Sequence, residues 1–126
     1  MGQGLQPRKW IPALIIMAFI FLASSIPADR MPNVGILDLP IKKGGHFTGY
    51  ALLALGFLRG MQNGKSRNVF LVILLCGLYA VSDEFHQSFV SGRTPSSIDV
   101  GIDLLGSSFG LMLFLWLAPV RRLVLK

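Results

Sequence analysis

Apolar residues run almost unbroken through four stretches of this sequence, and polar residues collect between them. The stretches are Trp10 to about Ile26 (WIPALIIMAFIFLASSI), about Gly45 to Met61, Asn68 to Gln87 and Ile98 to Ala118. A helix needs roughly 17–25 mostly apolar residues to cross a hydrocarbon core of about 30 Å. The pattern therefore predicts four membrane-spanning helices, at about 10–26, 45–61, 68–87 and 98–118. Pro12 falls in the first turn of the first, Arg59 snorkels from the end of the second, and Pro119 ends the fourth. Residues 27–44 contain three prolines and read as a loop. Residues 62–67 read as a polar turn around Asn63-Gly64, and 88–97 as the last loop, with Ser96 or Ser97 capping the fourth helix.

Composition agrees with a lipid setting. Of 126 residues, 52% are hydrophobic and 14% charged, with mean hydropathy +0.61. Soluble domains carry about 25% charged residues. Disorder, a soluble enzyme and a disulfide-stapled secreted domain are excluded, the last because Cys76 is the single cysteine. One domain fills the length. The net charge of +6 is sided. Arg8, Lys9, Arg59, Lys65, Arg67, Arg121, Arg122 and Lys126 share one side with no acid; Arg30, Lys42, Lys43 and Arg93 share the other with all six acids. The positive-inside rule then puts both termini in the cytoplasm, with Trp10 and Trp116 near that interface. The bases are a topology signal, and a nucleic-acid partner is not expected. The expectation is an all-α, multi-pass protein folded as a compact four-helix bundle. A rival reading takes the first span, with Arg8-Lys9 before it and Ala23-Ser24-Ser25 at its end, as a cleaved signal peptide.

The acids and both histidines fall mostly at helix ends. His46 and Tyr50 are four apart on the second helix and share a face. Tyr79, Asp83, His86 and Gln87 form one stripe on the third, with Glu84 turned about 100° away. Asp99, Asp103, Gly106 and Gly110 form a stripe on the fourth, and its glycines let another helix come close. Ionised groups at this depth are costly unless they face the bundle interior or water. The economical arrangement gathers His46, Asp83, Glu84, His86, Gln87, Asp99 and Asp103 into one outward-open pocket, with Lys43 and Arg93 at its rim.

Several chemistries fit that set. His46, Asp83, His86 and Asp99 have the donor types of a divalent-metal site. Without metal, Glu84 or His86 serves as general base, with Asp83 and His46 beside it. Arg93, Lys43, Tyr50, Gln87 and Asp99 are candidates for binding substrate, Arg93 suiting a phosphate oxygen. Blander readings stand beside these. The charges neutralise one another as inter-helix ion pairs, Asp99 is a first-turn acid favoured by the helix dipole, and Lys42-Lys43 contacts headgroups at the rim.

Lys43-Gly44-Gly45-His46-Phe47-Thr48-Gly49-Tyr50, Ser82-Asp83-Glu84-Phe85-His86-Gln87-Ser88-Phe89-Val90-Ser91-Gly92-Arg93 and Ser97-Ile98-Asp99-Val100, with Gly106 and Gly110, resemble the VanZ-like family of small bacterial membrane proteins. Ser24-Ser25-Ile26-Pro27 is similar to that family too and argues against cleavage. The resemblance runs from about residue 10 to 118. It implies a four-helix domain in the bacterial cytoplasmic membrane, and the founding member is linked to resistance to teicoplanin. Carried over by motif are His46, Tyr50, Asp83, Glu84, His86, Gln87, Arg93 and Asp99. Asp103 departs from the Asn usual at that position, and Lys42 from the usual acid. The expected function is binding of an envelope amphiphile: a lipid headgroup, a lipid-linked precursor or a lipidated glycopeptide. The alternatives are an intramembrane hydrolase or transferase on such a substrate, and an accessory protein whose ion pairs fix packing.

Overall fold

The structure, a computed structural model, describes residues 6–61 and 66–126, apart from the side chains of Ser66 and Arg67. The turn expected at Asn63-Gly64, and Lys65 beside it, lie outside the described residues. Five helices follow one another: α1 (Pro7–Ser24), α2 (Asp38–Met61), α3 (Ser66–Gln87), α4 (Ser97–Trp116) and α5 (Ala118–Leu125). Single 3-10 turns at Ala28–Arg30 and Gly35–Leu37 join α1 to α2, and the described residues contain no strand.

Three helical stretches are long and apolar enough to cross a membrane: Pro7–Ser24, Asn68–Gln87 and Ser97–Trp116. The second of the four expected spans is not among them. α2 starts seven residues earlier than the apolar pattern suggested, so Asp38, Lys42 and Lys43 join its first turns. Pro40 sits in the opening turn, where its missing N–H costs no helical bond, and Lys42 Nζ reaches back 2.5 Å to Asp38 Oδ2. Residues 38–44 are therefore helix, not loop. The polar residues of α2 fall mostly in its first half, which is partly exposed, whereas its second half is largely covered by neighbours. Tyr50, Leu53, Ala54, Gly56, Phe57, Leu58 and Gly60 are all buried.

Glycine sets how α2 packs on both sides. A Cβ at Gly106 of α4 would lie 2.2 Å from the Phe47 carbonyl oxygen, and one at Gly110 would lie 2.4 Å from that of Ala51. The close approach expected of those glycines is made, and α2 is the partner. Toward α1, Gly56 faces the Ala13 backbone and Gly60 lies under the Trp10 ring. Trp10 also meets Phe57 edge-on, with centroids 6.2 Å apart.

Two helix ends correct the sequence expectation. α1 begins at Pro7, so Pro12 falls in its second turn, where it removes the N–H that would bond the Arg8 carbonyl. α4 stops at Trp116, before Pro119, because Leu117 is extended; Pro119 then opens α5. On α5, Val120 and Val124 turn to the core, and Arg121 donates to the Phe114 and Leu115 carbonyls that end α4. A base at a helix C-terminus is favourably placed.

Large apolar side chains stay exposed on several helices: Leu14, Phe19 and Leu22 on α1, Phe70, Leu78 and Phe85 on α3, Leu105, Phe109 and Trp116 on α4. Such extensive apolar exposure marks a surface made for a non-aqueous neighbour.

The α2–α4 contact is testable. Gly106→Ala should destabilise the protein by at least about 1–3 kcal/mol through overpacking against backbone. Gly101→Ala, where a Cβ meets nothing within 4 Å, should be neutral or stabilising by roughly 0.5–1 kcal/mol. Thermal unfolding in detergent compares the two.

Candidate functional site

The polar residues lie at the end of the bundle where α1 and α3 finish and α2 and α4 begin. The loops there are fixed locally. Ser96 caps α4, its hydroxyl accepting from the Ile98 N–H at 3.2 Å, and Asp99 sits in the first turn. Gly92 has φ +73°, and a Cβ on it would come within 2.9 Å of Ala28 Cβ. That approach lets the Ala28 N–H donate to the Ser91 carbonyl at 3.1 Å. It delivers Arg93 to the end of α1, where Nε donates to the Ile26 carbonyl at 3.1 Å and Nη2 to that of Ala23 at 3.2 Å.

The carboxylates do not share one pocket. Asp83 Oδ2 accepts from the Ser24 hydroxyl at 2.9 Å and from Gln87 Nε2 at 3.0 Å. Glu84 Oε2 accepts the Ser96 backbone N–H at 2.8 Å. Asp103 Oδ1 lies 3.1 Å from His46 Nδ1. Asp99 pairs with Lys43 Nζ at 2.6 Å, partly exposed. His86 turns to α1, stacking on Phe21 at 4.4 Å and meeting the Ser25 hydroxyl at 2.9 Å. The physical reason is satisfaction of polar atoms. A buried carboxylate goes where donors are, and here the donors lie between the helices.

Asp83, Glu84 and Asp103 are 3%, 6% and 0% exposed, and among the described residues each leaves one oxygen without a hydrogen-bond partner. The buried Tyr50 hydroxyl does the same. Their partners weigh against charge neutralisation as the whole explanation. Asp83 and Glu84 meet a hydroxyl, an amide and a backbone N–H, none of them a cation. Among the described residues no three His, Cys, Asp or Glu side chains are grouped to hold a metal. The set His46, Asp83, His86 and Asp99 is instead divided among separate partners.

What opens beside these groups is a cavity of about 190 Å³ between α1 and α2. Lys42, Gly45, His46, Gly49 and Tyr50 line one wall, at spacings that keep them on one helix face. Phe19, Ile20, Ala23 and Ser24 line the other, and Ile41, Met31 and Arg93 complete it. A Cβ at Gly45 would meet nothing within 4 Å.

Of the residues singled out in the sequence, His46, Tyr50 and Arg93 line this cavity. Lys43, Asp83, Glu84, His86, Gln87 and Asp99 do not. Sequence reasoning passed over Lys42 and Gly45 as cavity residues, although the Lys42, Gly45, His46, Gly49 spacing of three, four and seven was there to be read. It also missed Ser24 as the donor to Asp83, a contact between residues 59 apart that no local pattern announces.

The VanZ/LLP1 family model matches residues 9–118. This chain belongs to that family. It is similar to an uncharacterized protein of Schizosaccharomyces pombe, 34% identical over 105 residues. The match covers 82% of this chain and 59% of that relative, so the chain spans less than two thirds of that relative's length. No solved structure matches.

The two kinds of polar contact differ in expected weight. Ser24→Ala, which removes a buried bond to Asp83, should cost about 1–3 kcal/mol. Lys43→Gln, which breaks a partly exposed pair, should cost under about 1 kcal/mol. Chemical unfolding of the two variants should rank them in that order.

Proposed function

We propose that this VanZ/LLP1 protein crosses the bacterial cytoplasmic membrane four times and binds the head of an envelope amphiphile. The amphiphile is a lipid headgroup, a lipid-linked precursor or a lipidated glycopeptide, and its site is the cavity between α1 and α2. α2 is the fourth span. Its 24 residues extend about 36 Å at 1.5 Å per residue, enough to cross a core of about 30 Å. The sided charge puts the termini in the cytoplasm and the cavity outside. The bacterial location rests on the family resemblance.

The observation that carries the reading is the two-sided lining of the cavity. Lys42, His46 and Arg93 offer polar contacts, while Phe19, Ile20, Met31 and Ile41 offer apolar ones. Phe19 and Ile41 are themselves 73% and 58% exposed, so the apolar side continues onto the surface that meets lipid. Clefts that enclose a whole drug-sized ligand measure roughly 300–1,000 Å³. A cavity of about 190 Å³ suits a head, with the tail left in the bilayer.

One observation favours hydrolysis or group transfer as a second reading. His46 reaches buried Asp103 through Nδ1 and lines the cavity, as an imidazole oriented by a carboxylate does in acid–base catalysis. On that reading His46 is the base, in place of Glu84 or His86.

Filling the cavity tests the binding reading. Gly45→Leu projects into the open space; Gly44→Leu, equally unobstructed and outside the lining, is its control. Mass spectrometry of lipid co-purified with each variant should show several-fold less for Gly45→Leu at equal membrane abundance. Equal lipid in both would sink the proposal.

A further inference from the structure

The end of the molecule that holds the cavity is its acidic end. Asp29, Asp38, Asp83, Glu84, Asp99 and Asp103 all belong to it, yet no carboxylate lines the cavity. The side chains there that can carry charge are Lys42, His46 and Arg93. The acids are withdrawn behind the wall or paired beside it: Asp103 behind His46, Asp83 behind Ser24, and Asp38 on Lys42.

We infer that the cavity selects an anionic, phosphate-bearing headgroup presented from the bilayer, a selectivity that rests on the amphiphile reading above. Arg93 supplies a planar guanidinium whose two recorded bonds leave further N–H groups for a phosphate. Lys42 supplies a mobile point charge. Its pair with Asp38 is an i,i+4 contact with about a third of the lysine side chain exposed, a type of pair that contributes little and exchanges readily. His46 adds a ring edge fixed by Asp103. Access is lateral: the tail lies over Phe19 and Ile41, which face outward beside the opening, and the head turns in through the gap that Gly45 leaves.

Phosphate chemistry is shared by lipids and by soluble phosphate esters, and the experiment separates them. The full chain is placed in nanodiscs of equal phosphatidylglycerol and phosphatidylcholine, and retained lipid is read by native mass spectrometry. Phosphatidylglycerol should be retained about tenfold over phosphatidylcholine. Lys42→Glu, whose recorded partner Asp38 is partly exposed, should fold with only a small loss of melting temperature from the like charge four residues away, and lose most of that preference. Arg93→Gln should lose it as well, with some loss of stability from the α1 carbonyls it leaves. Millimolar glycerol 3-phosphate should leave the lipid bound; displacement at low concentration would instead identify a soluble phosphate ester as the occupant and overturn the lateral route. Equal retention of the two lipids, or an undiminished preference in Lys42→Glu, would overturn the anionic selectivity. In that event a fall in total lipid for Gly45→Leu still upholds the amphiphile site, whereas no fall removes both.

Discussion

Backbone contact between α2 and α4 sets the positions of the other polar groups. Gly106 and Gly110 sit on the Phe47 and Ala51 carbonyls at distances that admit no side chain. Helices that interpose side chains pack at 8–10 Å between axes, with scope to slide. Two that touch through glycine are held in one register. In that register Lys43 faces Asp99, His46 faces Asp103 and the Ser107 hydroxyl lies 3.5 Å from the Tyr50 carbonyl. The last two pairs lie within a turn of the glycine contact, and Asp99 lies two turns before Gly106. A shift by one turn would carry every one of these groups about 5.4 Å from its partner, leaving a fully buried carboxylate without its recorded hydrogen bond.

The same constraint explains why the acids point inward. α4 brings Asp103 into the contact because it lies three residues before Gly106, on the face that meets α2. Asp83 is carried inward from α3 to the end of α1, where Ser24 supplies a hydroxyl. Glu84, about 100° round the helix, instead accepts the backbone N–H of Ser96, the residue that caps α4. Neutral donors and a helix terminus hold these two acids, and one oxygen of each is without a partner among the described residues. Ion pairing as a packing device would predict Lys or Arg opposite them.

The sequence made some of this legible and hid the rest for definite reasons. Helical class, the end of α3 at Gln87, the Ser96 cap and the glycine approach of α4 follow from apolar runs, cap chemistry and spacing, which are local properties. The start of α2 does not. Asp38, Lys42 and Lys43 look like loop residues to a test of apolarity, which does not register a helix whose first turns are polar and partly exposed. The partner of each acid was not legible either. Helical spacing tells which residues share a face, but the neighbour that face meets is a tertiary fact: His86 found Phe21 and Ser25, while Asp83, on the same stripe, found Ser24.

Two of the cavity's side chains connect it to the buried acids. Ser24, on the α1 wall, donates to Asp83 of α3; His46, on the α2 wall, meets Asp103 of α4. Each wall is thus tied to a different helix through a carboxylate with one oxygen to spare. A group that draws the His46 ring or the Ser24 hydroxyl toward the cavity must compete with Asp103 or Asp83 for it. Withdrawing either donor leaves a carboxylate more exposed energetically than before, since a buried polar group that loses its partner bears its full desolvation cost. A phosphate between Lys42 and Arg93 avoids that penalty, because it can take its bonds from cations and leave both donors where they are. On the anionic-head proposal, the acids behind the wall therefore act together with the bases in front of it, since a head that needed His46 or Ser24 as its main donor would bear that cost.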